Sequence, residues 1–178
     1  MMKNLSFKEL WEYLEERAKT TKGWHISIRG EPEEILRALK GIIPKGRILE
    51  VGARGGRLQK LCDSLKYDYA GVEFSEAMVE GNDALLPVRK PSDLPEGPFD
   101  CVVLNTTICM LSRKAAKSLV NEATARLKEN GVLIQVDPKA KRLFTLPDGN
   151  MIEVTAFSEP HVIIHRKKEK DARSSRRR

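Results

Sequence analysis

The feature that most constrains this chain is one β-like run that breaks into glycines and resumes as a helix. Arg47-Ile48-Leu49-Glu50-Val51 is a strongly β-like run. Gly52-Ala53-Arg54-Gly55-Gly56 interrupts it, and Leu58, Leu61, Cys62 and Leu65 then recur at helical spacing. A strand that feeds a helix through a tight turn opens a βαβ unit, whose two strands run parallel and need a crossover between them.

The rest of the chain continues that alternation. Tyr69 to Phe74 reads as a second strand, and Ser75 caps a short helix through Met78, with room to extend toward Leu86. A weak third strand is expected near Val88, and Phe99 to Leu104 reads as a fully buried strand. Ser112 caps a long helix with Ala116, Leu119, Val120, Ala123 and Leu127 on one face; Asn130-Gly131 stops it before the strand Val132 to Val136. Two helices precede this series. Ser6-Phe7-Lys8-Glu9 has capping-box spacing and Leu5 is placed to staple onto Leu10. Phe7, Leu10, Trp11, Leu14 and Ala18 form one face, and Gly23 is placed to end the helix. The second helix starts near Pro32 and carries Ile35, Leu36 and Leu39 inward. At the end, Arg142 to Leu146, Met151 to Phe157 and Val162 to Ile164 are strand-like between turn residues, which suggests antiparallel hairpins. The expected fold is α/β: a mainly parallel sheet, helices on both faces and a C-terminal antiparallel hairpin.

Ligands of such sheets bind beyond the carboxyl ends of the strands, at the point where the strand order reverses. Three features fall there: the glycine turn after Glu50, Glu73 at the end of the second strand, and Asn105-Thr106 after the buried strand. Glycines let a backbone approach a ligand closely, and a strand-end carboxylate can accept both hydroxyls of a ribose. A nicotinamide-dinucleotide fingerprint would need glycine at the third and sixth positions counted from Gly52, which hold Arg54 and Arg57. A phosphate-binding loop fails as well, because no Gly-Lys-Ser/Thr follows.

Four segments in order resemble class I S-adenosylmethionine-dependent methyltransferases, a Rossmann-like family. Ile48 to Leu58 is similar to the family's first motif, and Tyr69 to Met78 to its second strand with the following Ser-x-x-Met helix start. Asp93-Leu94-Pro95 through Val103 resembles the lead into its fourth strand, and Leu127 to Ile134 the Leu-Lys-x-Gly-Gly entry to its fifth. The resemblance implies S-adenosyl-L-methionine as cofactor. It implies Glu50, Gly52, Ala53 and Arg54 around the methionine end, Glu73 on the ribose and Phe74 packed on the adenine. It implies Ser92 and Asp93 along the adenine edge and Asn105 near the sulfonium. Arg54 stands where the family has its second motif glycine, and is expected either to pair with the cofactor carboxylate or to obstruct the loop. Lys90 occupies the register of the family's acid before Leu-Pro. Asp83 would serve under another alignment, but that one removes the crossover helix between parallel strands.

Methyl transfer is an in-line displacement, for which positioning supplies much of the acceleration and a base is needed only when the acceptor must lose a proton. His25, in the segment before the first strand, is the one candidate base. Asn105 is followed by Thr106-Thr107-Ile108 rather than the Pro-Pro-aromatic signature of many amino-group nucleic-acid methylases. That stretch, with the short segment after the fifth strand, favours a small-molecule acceptor over RNA. The alternative is a non-catalytic binding or scaffold module on the same fold.

Composition sets the remaining bounds. The 178 residues carry a net charge of +7, of which the last thirteen, Arg166 to Arg178, hold eight Lys/Arg against two Asp/Glu, a net of +6. The body therefore carries +1, without the basic stripe of a nucleic-acid-binding domain. The tail is expected to be disordered and to contact RNA or another polyanion, or to aid solubility. No apolar run approaches the ~20 residues of a membrane span, and Met1 to Leu5 does not read as a secretory signal. Cys62, Cys101 and Cys109 have neither disulfide nor zinc spacing and are expected to be buried hydrophobes in the reducing cytoplasm, with no metal. The expected organisation is N-terminal capping helices over 1–45, the cofactor domain over 46–165 and the basic tail over 166–178.

Overall fold

The computed structural model describes residues 4–20, 31–137 and 161–166. Helices α1 (Phe7–Thr20) and α2 (Glu31–Ile42) precede β1 (Arg47–Val51), α3 (Arg57–Ser64), β2 (Asp68–Glu73), α4 (Glu76–Val79) and β3 (Leu85–Pro87). Then follow β4 (Phe99–Asn105), α5 (Arg113–Ala125), β5 (Leu127–Asp137) and β6 (His161–Arg166). One six-stranded sheet has the order β3-β2-β1-β4-β5-β6. The first five strands are parallel and β6 runs antiparallel to β5. The Rossmann-like α/β fold expected from the motifs is therefore the fold observed. Of the C-terminal strands, Val162–Ile164 falls within β6; 142–146, 151–157 and the basic tail from 167 lie outside the described residues.

Strand alternation sorts the side chains into two cores. Leu49, Val51, Val72, Val102, Leu104 and Leu133 point to one face, where α1, α4 and α5 supply Leu10, Leu14, Met78, Ala116 and Leu119. Ile48, Cys101, Val103, Val132 and Ile134 point to the other, where α2 and α3 supply Ile35, Leu39, Leu58 and Cys62. Cys62 and Cys101 are buried as expected, and burial pushes the Cys62 thiol up to about 12, so it stays a protonated hydrophobe. Cys109 is only partly buried; its thiol donates to the Thr106 carbonyl at 3.0 Å.

The short-range signals locate the helices well. Glu9 accepts from the Ser6 amide and hydroxyl, both at 2.7 Å, while the Glu9 amide donates back to Ser6 Oγ at 3.3 Å, a complete capping box. Ser75 and Ser112 cap α4 and α5 through the Met78 and Ala115 amides. Elsewhere tertiary contacts move the boundaries. The helix after Ser75 lasts four residues rather than reaching toward Leu86: Gly81 turns left-handed (φ 80°) and Asn82 Oδ1 accepts from the Ala84 amide. The third strand consequently starts at Leu85, ahead of Val88, and Asp83 lies before its amino end. Helix α5 stops at Ala125, short of Leu127, because the Arg126 carbonyl accepts from the Phe99 amide at 2.8 Å and Leu127 pairs with Phe99. The register then shifts, and Asn130 takes φ 62° within the resulting irregularity.

Helix α1 is fastened at both ends of the site. Leu5 forms a parallel bridge to Leu111, with its amide donating to the Met110 carbonyl at 3.0 Å and its carbonyl accepting from the Ser112 amide at 2.7 Å. At the other end, Glu15 accepts from Ser75 Oγ at 2.8 Å and the Ala77 amide at 3.0 Å. Burial pushes the Glu15 carboxyl up, but the Ala77, Ser75, Glu76 and Lys19 hydrogen bonds together outweigh it and hold the group below its usual range. A depressed carboxylate contributes stability above its unfolded pKa, about 4.3, and loses it as pH falls through the folded value. Replacing Glu15 by Ala should therefore cost about 1–3 kcal/mol at pH 7. The melting-temperature gap between the two proteins should close on acidification toward pH 3. A gap as wide at pH 3 as at pH 7 would show that the ionised carboxylate is not what docks α1.

Candidate functional site

The strand order reverses between β1 and β4, because β1 connects outward to β2 and β3 while β4 connects the opposite way to β5. The crevice at their carboxyl ends is the ligand position for this class of sheet. Registers Glu50↔Gly71, Val51↔Val72, Glu50↔Val103 and Val51↔Leu104 bring Glu50, Glu73 and Asn105 to that crevice from three adjacent strands.

The turn after β1 is built by close approach. Gly52 has φ 88°, and a Cβ there would overlap the Asn105 carbonyl oxygen and the Thr107 hydroxyl. Its amide and that of Ala53 both donate to the Val72 carbonyl, at 2.9 and 3.0 Å, which ties the turn to β2. Arg54 follows with φ 49°, a left-handed conformation that costs a side-chain-bearing residue roughly 1–2 kcal/mol. Gly56, also left-handed at φ 73°, is the N-cap of α3.

Glu73 is not a solvated strand-end carboxylate. It is 3% exposed, with Oε2 accepting from the Arg54 amide at 2.9 Å and Oε1 from the Phe74 amide at 2.6 Å. Burial pushes its carboxyl above the usual carboxylate range, and the two amides and the Arg54 charge offset that only in part. Each oxygen retains a second lone pair for a further donor. The Phe74 ring is fully buried and stacks on Phe7 of α1 at 5.6 Å between centroids, so one of its two faces is already engaged. The Val88 amide donates to the Glu73 carbonyl at 2.9 Å, and the chain then enters a 3-10 turn, Pro91–Asp93. Ser92 and Asp93 are exposed there; Asp93 Oδ2 accepts from the Arg89 and Lys90 amides at 3.3 and 3.2 Å. His25 lies outside the described residues.

A directed chain of hydrogen bonds joins the β1 turn to the ends of β4 and β1. The Arg54 guanidinium donates to Thr106 Oγ1, Thr106 Oγ1 to Asn105 Oδ1 at 3.4 Å, and Asn105 Nδ2 to Glu50 Oε1 at 2.8 Å. The Tyr69 hydroxyl donates to Glu50 Oε2 at 2.5 Å. Thr106, like Arg54, is left-handed, at φ 51°; a β-branched residue there is a conformational outlier of the kind that gathers at functional sites. Sequence reasoning reached Glu50, Arg54 and Asn105 but read Tyr69 only as the opening of a strand and gave Thr107 no part. The available signal for Tyr69 was Tyr-x-Gly opposite the Glu-x-Gly of β1.

The chain matches a family described as a methyltransferase domain over residues 11–169. No curated protein matches it. Among solved structures it is similar to the *Burkholderia thailandensis* 1,6-didemethyltoxoflavin-N1-methyltransferase, solved with 1,6-didemethyltoxoflavin and S-adenosylhomocysteine. That likeness has 16% identity and a TM-score of 0.63 over 91% of this chain and 87% of that one. It is similar to the N-methyltransferase NodS of *Bradyrhizobium japonicum*, solved with S-adenosyl-L-homocysteine, at 12% identity and a TM-score of 0.67 over 89% and 98%. It is also similar to the *T. thermophilus* 16S rRNA N2 G1207 methyltransferase RsmC, solved with AdoMet and guanosine, at 21% identity and a TM-score of 0.63 over 84% of this chain and 45% of that one. With the fold, the crevice and the family match in agreement, the chain belongs to the methyltransferase-domain family.

Proposed function

We propose that the protein is an S-adenosylmethionine-dependent methyltransferase acting on a small-molecule acceptor. The observation that carries this reading is the convergence of Gly52, Arg54 and Glu73 at the β1–β2 end of the crevice. The donor set fits the cofactor. Glu73 offers acceptor lone pairs to vicinal hydroxyls, and the Arg54 guanidinium matches a carboxylate. Gly52 and Ala53 fix the turn that brings these groups together, and Glu50 with Asn105 supplies a polar floor. Ser92 and Asp93, exposed in the 3-10 turn after β3, are the residues proposed for the adenine edge. When bound, the cofactor supplies a methyl group on a sulfonium, an electrophile that needs an aligned nucleophile more than a strong base.

The chain's own residues serve that need by position. Thr106, Thr107 and Ile108 are buried after β4, and Leu5 bridges Leu111 just beyond them. What supports a small acceptor is the stretch after Asn105, which lacks the Pro-Pro-aromatic signature of many amino-group nucleic-acid methylases, and the small molecule 1,6-didemethyltoxoflavin bound by the Burkholderia neighbour. In this reading α1 caps the cofactor domain, and Phe74 contributes by fixing α1 through Phe7 as well as by bordering the adenine.

A second reading has one observation in its favour. The Arg54 guanidinium reaches across the crevice to Thr106, from the β1 turn to the end of β4. A permanent contact of that kind would close the site and leave a non-catalytic module.

Calorimetry separates these readings. The protein should bind S-adenosylmethionine and S-adenosylhomocysteine in preference to NAD and ATP; no heat with either sulfur nucleoside would end the methyltransferase reading. Arg54→Gly should weaken S-adenosylhomocysteine binding by roughly tenfold if the guanidinium pairs with the carboxylate, as charge-assisted hydrogen bonds of this type do. Tighter binding in that variant would identify Arg54 as an obstruction and favour the non-catalytic module.

A further inference from the structure

Tyr69 opens the second-strand motif without a site role of its own there, yet its hydroxyl reaches Glu50 in the crevice. The residue pairs with Ile48, two positions before the Glu50↔Gly71 register, so the ring must lean along β2 to reach Glu50. Gly71 makes this possible: a Cβ there would stand 2.7 Å from the Tyr69 hydroxyl oxygen and would also strike the Leu85 side chain. The bare glycine opposite Glu50 is the slot through which the phenol arrives.

The consequence for Glu50 follows from donor and acceptor counting. The carboxylate is 1% exposed, and Tyr69 donates to one oxygen while Asn105 Nδ2 donates to the other. Burial and the Glu50 charge both raise the Tyr69 pKa, so the phenol remains a protonated donor. An acceptor-only carboxylate forces the Asn105 amide to turn its nitrogen inward and its oxygen toward Thr106. Thr106 must then donate to that oxygen and accept from Arg54, which is the observed direction of every link.

We infer that Tyr69 is a positioning residue of the cofactor crevice: its hydroxyl clamps Glu50, and through Glu50 it fixes the side-chain amide of Asn105 and the hydroxyl of Thr106. This rests on the methyltransferase reading, and goes beyond it in assigning the clamp. Tyr67 provides an internal control. Two residues earlier, its buried hydroxyl donates to the Ile43 carbonyl at 2.7 Å, between β2 and the end of α2 and away from the crevice.

The test compares Tyr69→Phe with Tyr67→Phe, measuring S-adenosylhomocysteine affinity by calorimetry and thermal stability in the free protein. Both variants lose one buried hydroxyl and should melt earlier. Only Tyr69→Phe should bind the nucleoside more weakly, by about tenfold, the scale of one hydrogen bond to a charged group. Gly71→Ala, which keeps the phenol but displaces it from Glu50, should weaken binding in the same direction. It serves in place of Tyr69→Phe if that variant does not fold. Affinity within twofold of the natural protein in a folded Tyr69→Phe, or in a folded Gly71→Ala standing in for it, would overturn the assignment. So would an equal loss in Tyr67→Phe, because the effect would then be general softening. Absence of binding in the natural protein would instead remove the methyltransferase reading itself, and the assignment with it.

Discussion

The bare Cα of Gly52 against the Asn105 carbonyl and Thr107 hydroxyl is the contact on which the crevice depends. It lets the ends of β1 and β4 converge at the point where the strand order reverses, and no residue with a Cβ can occupy it without moving one of two backbones. Once that approach is made, the Gly52 and Ala53 amides fall onto the Val72 carbonyl and the Arg54 amide onto Glu73. Thr107 closes the arrangement by donating to the Asn105 carbonyl at 3.1 Å. Three strand ends are thus locked together by a turn of five residues.

Two carboxylates are buried in this small region, and each is provided for differently. Glu73 is held by backbone amides, whose positions are set by the turn itself. Glu50 is held by side chains, from β2 and β4, whose positions depend on packing around them. Buried charge is tolerated only when its lone pairs are met. A substitution that leaves the turn intact can therefore disturb Glu50 without touching Glu73, and the two ends of the crevice are separable in mutational terms.

What the sequence made legible is what local chemistry decides. The capping serines, the glycine turn, the apolar strands and the acid at the end of β2 all carry their signal within a few residues. What was not legible depends on partners far along the chain. Helix α5 ends where Phe99 claims the Arg126 carbonyl, which no periodicity within 113–127 announces. The crossover before β3 shortens because Gly81 and Asn82 turn the chain before any helical face develops. The role of Tyr69 escaped notice because it requires the β1–β2 register, and the stack of Phe74 on Phe7 because it depends on where α1 docks. Where the family pattern leads one to expect glycine at 54 there is an arginine, and its backbone is left-handed, the region that glycine enters freely.

The fastening of α1 also sets an order of events in the making of the molecule. This helix can form early, since its capping box is internal, but its apolar face has nothing to cover until later sequence exists. Its tethers are Ser75 and Ala77 at one end and Met110 to Ser112 at the other. During synthesis the chain must therefore extend roughly a hundred residues past α1 before both tethers are available. Contacts of such long sequence separation form late and slowly. Until both tethers exist, the Leu10 and Leu14 side chains and the Phe74 face that Phe7 covers lack the partners they have in the folded protein.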